Sequence, residues 1–133
     1  MQPFLRISTR VHDALVFMGK LAVATDALTV EQAATHPLSA GYLEQVALKL
    51  KEAKLIVGKR GPGGGYRLAR PAAKITVADV VEAVEGSMAL VPCLDKAEVC
   101  GAHGGCASRG VWGTLQAKIS ETLEGITVAS LAK

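Results

Sequence analysis

Long apolar runs are missing from this 133-residue chain. No stretch approaches the roughly eighteen apolar residues that a membrane helix needs, and no basic-then-apolar leader opens it. The expectation is a soluble, cytoplasmic protein with no membrane partner. Catalytic patterns are missing too. There is no G-x(4)-G-K-[ST] nucleotide loop, no nucleophile–base set and no paired carboxylates, so neither an enzyme nor a small-molecule substrate is expected. Cysteine is scarce, and its three copies cannot all close into disulfides within one chain. None belongs to a C-x(2)-C knuckle of the kind that builds structural zinc sites.

What cysteine there is lies in one place. Cys93, Cys100 and Cys106 fall within CLDKAEVCGAHGGC, with Gly101, Gly104, Gly105 and Gly110 beside them. The C-x(6)-C-x(5)-C spacing does not put three thiols on one helix face, but a glycine-rich loop lets them converge. Clustered thiols in a reducing compartment point to a metal or a redox role rather than to structural bridges. Soft thiolates suit an iron–sulfur cluster, zinc is a weaker alternative, and the plain alternative is three small buried hydrophobes.

Charge is unevenly spread. Residues 1–71 carry ten Lys and Arg against five Asp and Glu, a net of +5, whereas residues 72–133 carry five against seven, a net of −2. A basic first half is what a phosphate-contacting module requires.

Apolar spacing predicts a helix from Leu5 to about Ala24, with Ile7, Val11, Leu15, Met18 and Ala22 as its stripe. Thr29 and Gln32 form a capping-box pair opening a second helix, which Pro37 ends. Ser39 is suited to cap a third helix, about Ala40 to Ala53, with Leu43, Val46, Ala47 and Leu50 inward. Two strand-like runs around Gly61–Gly65 then make a β-hairpin, a wing on a helix-turn-helix. Thr76 and Asp79 cap a further helix that Gly86 ends. The last helix runs from Val111 to about Leu123, and its apolar stripe has few partners left inside so small a domain. It reads as a homodimer interface, as two half-sites on DNA require. The fold class is mainly α with a small β-hairpin. Residues 1–86 form a winged helix-turn-helix DNA-binding domain, 87–110 a cysteine-rich cluster-binding loop, and 111–133 a long dimerisation helix with a C-terminal tail.

The words YLEQ, RGPGGGYRLAR and ITVADVVEAVEG, with the tail RGVWGTLQAKISETLEGITVASL, resemble the bacterial iron–sulfur cluster regulator family of winged-helix transcription regulators. The resemblance runs from about Leu5 to Leu131. It implies a homodimer that binds a double-stranded DNA operator. The third helix would enter the major groove and the wing the adjacent minor groove. At the matching positions Ser39, Tyr42 and Gln45 are the expected major-groove contacts, and Lys49 joins the DNA-binding set. Gln pairs bidentately with adenine, while Tyr42 has packing as its plain alternative. Glu44 either accepts from cytosine or repels phosphate at the wrong site. Lys59, Arg60 and Arg67 on the wing are expected at phosphates or a narrow minor groove.

The resemblance also implies an iron–sulfur cluster on Cys93, Cys100 and Cys106, sensing redox state, iron–sulfur status or nitric oxide. The chain departs from the family pattern at Arg109, where a histidine ligand would stand. Alignment of the first helix brings His12 to a position from which other members supply the fourth ligand across the dimer. Asp13 beside it and His103 within the loop are the alternatives, and an exposed helical histidine with no ligand role is the plain reading of His12. Three cysteines with one histidine point to [2Fe–2S], and a carboxylate ligand leaves [4Fe–4S] open. The other reading keeps DNA binding without a cluster, under control of thiol oxidation or a protein partner.

Overall fold

The computed structural model describes residues 5–34, 40–62, 64–91, 94 and 107–132, with residues 40 and 41 described by their backbone. It is mainly helical around one two-stranded hairpin. The elements are α1 (Thr9–Val23), α2 (Val30–Ala33), α3 (Ala40–Glu52), β1 (Ile56–Lys59), β2 (Gly65–Leu68), α4 (Val77–Glu85) and α5 (Ala107–Glu124). Short 3-10 turns cover Ala72–Lys74 and Val128–Leu131. No helix is long and apolar enough to cross a membrane among the described residues.

Helix starts follow from side chains that satisfy the free amides of a first turn. Ser8 caps α1, its hydroxyl accepting from Val11 N–H at 3.2 Å, so the helix begins at Thr9 and not at the expected Leu5. Ile7, placed on the apolar stripe by spacing, lies outside the helix and is 76% exposed. The buried face of α1 is instead Val11, Ala14, Phe17, Met18 and Leu21. Thr29/Gln32 and Thr76/Asp79 both close as reciprocal capping boxes on α2 and α4. Gly86, at φ 82°, ends α4 with its N–H on the Glu82 carbonyl. The joint at residues 35–39, with Pro37 and the Ser39 cap, lies outside the described residues.

α1, α3 and α4 pack about a core of Phe17, Met18, Val46, Leu50, Val80 and Val84, which Leu55, Ile56 and Ile75 extend toward the hairpin. Burying each such side chain contributes on the order of 1.5–3 kcal/mol. β1 and β2 pair antiparallel, Ile56 opposite Leu68 and Lys59 opposite Gly65. Leu28 bridges to Tyr66 through two backbone hydrogen bonds, 2.9 and 2.7 Å, tying the turn before α2 to the wing. Gly65 makes this close approach possible. Its φ is 134°, and a Cβ there would stand 2.2 Å from the Leu28 carbonyl oxygen.

α5 begins at Ala107, four residues before the expected Val111, so Arg109 and Gly110 belong to its first turn. It packs on α4, yet none of its eighteen residues is buried. The chain then turns back. Ile126 and Val128 bond to Val77 and Ile75 at 2.8 Å each, and Val128 is fully buried in the core.

Candidate nucleic-acid interface and cysteine segment

The core residues Leu43, Val46, Ala47 and Leu50 take one side of α3, and the 3.6-residue repeat turns Tyr42, Glu44 and Gln45 outward. All three are exposed, Tyr42 to 36%. Leu48 is also on this outer side, 48% exposed. The sequence reading passed over it, although it stands one turn beyond Glu44 and Gln45. Lys49 is exposed but not idle, since its ammonium donates to the Val84 carbonyl at 3.4 Å. The contact joins α3 to the last turn of α4, where free carbonyls favour a cation.

Lys59, Arg60 and Arg67 lie exposed on the wing. Lys59 pairs with Asp26, Nζ to Oδ1 at 3.2 Å, across 33 residues of sequence that gave no signal of the contact. The same Asp26 oxygen accepts from Ala27 N–H at 2.8 Å. That backbone bond first, and then the Lys59 ammonium, hold the Asp26 carboxyl below the usual carboxylate range, with a smaller contribution from Arg67. Both residues line an open groove of about 810 Å³ between the turn before α2 and the wing, with Thr25, Thr29, Gln32 and Gly64. Tyr66 packs edge-on against Phe17, ring centroids 6.2 Å apart. Burial raises its phenol, and the negative charge of Glu44 adds to the shift.

Cys93, Cys100, Cys106 and His103 lie outside the described residues, as does Ser39. α4, which precedes the cysteine segment in the chain, ends at a turn that two other elements hold: Lys49 from α3 at Val84, and Ser8 from the start of α1, whose hydroxyl donates to Glu85. The chain beyond it stays on the fold as far as Leu90, whose N–H donates to Gln116 of α5 at 2.9 Å. His12 is exposed on α1 and Asp13, next to it, half-buried. His12 stands at a mostly apolar groove of about 440 Å³ with Leu15, Val16, Gly19, Val23 and Leu131. Among the described residues no cluster of His, Cys, Asp and Glu with metal-holding geometry occurs. The donor chemistry fits an iron–sulfur cluster, with three thiolates in one segment and an imidazole exposed on another element.

Comparison with known proteins agrees with this architecture. A family model described as "Rrf2: Iron-dependent Transcriptional regulator" matches residues 7–133. A putative HTH-type transcriptional regulator of Neisseria meningitidis, NMA1593, is 34% identical over 130 residues, covering 96% of this chain and 87% of the relative. Among solved structures, CymR, the global cysteine regulator of B. subtilis, superposes with a TM-score of 0.78 at 29% identity over 98% of this chain and all of CymR. IscR of T. potens superposes at 0.75 and 30% identity, over 95% of this chain and 85% of that one.

Proposed function

The chain belongs to the Rrf2 family of transcriptional regulators, and we propose that it acts as a homodimer whose grip on double-stranded DNA is set by an iron–sulfur cluster. The observation that carries the DNA reading is that α3 and the wing both expose polar and basic side chains. Tyr42, Glu44 and Gln45 lie on the helix, with Lys59, Arg60 and Arg67 on the hairpin. Gln45 pairs with adenine, Tyr42 and Ser39 take phosphates or base edges, and Glu44 selects cytosine or rejects a wrong site. The wing cations meet phosphate. Lys49, bonded to Val84, serves to tie the recognition helix to α4 more than to meet DNA. No catalytic role enters this reading.

Cys93, Cys100 and Cys106 would hold the cluster, with His12 of the second copy as the fourth ligand and His103 or Asp13 in its place if His12 is not used. [2Fe–2S] is the type that a three-thiolate, one-imidazole set favours, and [4Fe–4S] goes with a carboxylate. When bound, the cluster supplies a centre whose charge and ligation change with redox state, iron supply or nitric oxide. The helix end before Gly86 supports a link from the cysteine segment to DNA, because Lys49 and Ser8 join that end to α3 and α1. A tenfold change in operator affinity needs only about 1.4 kcal/mol between two states of such a joint.

The likeness to CymR, a cysteine regulator by name, favours a second reading in which the three thiols act by oxidation or a protein partner controls binding. Anaerobic reconstitution with iron and sulfide separates the two. The expected result is a visible thiolate-to-iron absorption that Cys93→Ala, Cys100→Ala and Cys106→Ala abolish together and His12→Ala alters. Gel shifts on the chain's own promoter, run as a salt series, should weaken steeply with salt and differ between reconstituted and iron-free protein. Colourless protein with unchanged DNA binding would sink the cluster. A shift that responds to thiol oxidants alone would favour the second reading.

A further inference from the structure

We propose that Asp26 sets the DNA affinity of this chain by serving as an internal counter-ion for the wing's Lys59, one that a DNA phosphate must displace. The inference rests on the reading that the wing meets DNA, and it adds a residue to which that reading gives no part. Asp26 lies in the turn between α1 and α2, opposite the wing. Its Oδ1 accepts from both the Ala27 N–H, at 2.8 Å, and the Lys59 ammonium, at 3.2 Å. The first bond fixes the carboxylate in the turn, and the second reaches over the open groove to the wing.

Three features suit this pair to exchange rather than to structural support. Both side chains stay wet, with 45% of Lys59 and 69% of Asp26 exposed, so moving the ammonium from carboxylate to phosphate requires little desolvation. The wing keeps its shape without the pair, through the Leu28–Tyr66 bridge and the β1–β2 ladder. Among the described residues the other wing cations, Arg60 and Arg67, form no salt bridge. Lys59 is thus the wing cation that is directly paired before DNA arrives, while Arg67 acts on the same carboxylate only at longer range.

Counter-ion accounting gives the consequence. A lysine that meets a DNA phosphate releases a condensed cation, which steepens the fall of log K with log salt by about 0.9 per phosphate. Here Lys59 also leaves Asp26 behind, and the bared carboxylate draws a cation back from solution. Part of the release is cancelled, and a negative charge is left standing beside the DNA backbone. Asp26 therefore weakens binding and flattens its salt dependence.

The test uses the full chain, as purified and after reconstitution, with a duplex enriched by the wild-type protein from a random pool. Affinities of wild type, Asp26→Asn, Lys59→Met and the double variant are read by fluorescence anisotropy across a salt series. Asn keeps an oxygen for the Ala27 N–H, so the turn survives while the charge is lost. Asp26→Asn should bind about threefold or more tightly at low salt, in the range of exposed ion-pair effects. Its salt slope should steepen by up to about 0.9, one phosphate's share. Lys59→Met should weaken binding and flatten the slope, and adding Asp26→Asn to it should tighten binding less than it does in wild type, since only repulsion from the carboxylate is then relieved. Should Lys59→Met weaken binding while Asp26→Asn leaves affinity and slope at the wild-type values or lowers them, this proposal fails and the wing reading stands. Should Lys59→Met bind as wild type does, both fail together.

Discussion

At Asp26 two hydrogen bonds meet on one carboxylate oxygen, and their electrostatics make a prediction that needs no DNA. The Ala27 N–H and then Lys59 favour the ionised form, so the folded value lies below the unfolded one, about 3.9 for a free aspartate. The sign follows. The contribution of this group to stability is fully present above the unfolded value and is lost as pH falls through the lower folded value. A carboxyl NMR titration should find Asp26 below the usual aspartate midpoint, and Lys59→Met should move it part of the way back. A midpoint at or above the ordinary value would contradict the geometry. Residues of this kind divide by sequence distance. The capping pairs Thr29/Gln32 and Thr76/Asp79 were legible because three residues separate partners whose chemistry is reciprocal. Asp26 and Lys59 were not, since nothing local to either announces a partner on the other side of a hairpin.

Among the elements, the wing depends closely on the backbone at Gly65. Gly65→Ala would place a Cβ 2.2 Å from the Leu28 carbonyl oxygen at a φ of 134°. It should cost about 1–3 kcal/mol in urea unfolding, the scale of local backbone strain. It should also loosen the wing's hold on DNA. An unchanged midpoint would mean that the Leu28–Tyr66 bridge opens at little cost. The glycine run marked a turn in the sequence, but its register against Leu28 depended on a third segment that no hairpin pattern contains. The buried face of helix α3 was readable, because Leu43, Val46, Ala47 and Leu50 alternate with polar residues at helical spacing. Helix α1 was read with its stripe displaced. Ile7 fits the spacing, yet Ser8 takes the Val11 amide and starts the helix after it, leaving Ala14, Phe17 and Leu21 to complete the buried face. The start of α5 was missed for a related reason: the glycines and serine around Arg109 read as loop, and Trp112 N–H bonding to Ser108 within the helix has no sequence signature.

On the scale of the whole molecule, α5 is an eighteen-residue helix without one buried side chain, and Val111 is 61% exposed. That surface is the basis for expecting a second copy of the chain against it. Val111→Glu with Leu115→Glu should turn a dimer into a monomer by sedimentation. DNA affinity should fall by at least about tenfold, because a monomer reads a single half-site. A double variant that sediments as wild type would move the interface elsewhere. The cysteine segment and its ligand geometry stay a matter of residue chemistry, since thiolate type and spacing are legible where their arrangement is not.

Val128 gives the molecule an order of assembly. It is fully buried among residues that precede it by about fifty positions or more, and its N–H closes on the Ile75 carbonyl. A chain emerging from the ribosome therefore carries α1 to α4 before it owns the residue that completes their core. The cysteine segment and α5 are synthesised inside that wait. Long-range closure of this kind comes late in folding. The α1–α4 unit is thus synthesised whole before its core can be sealed.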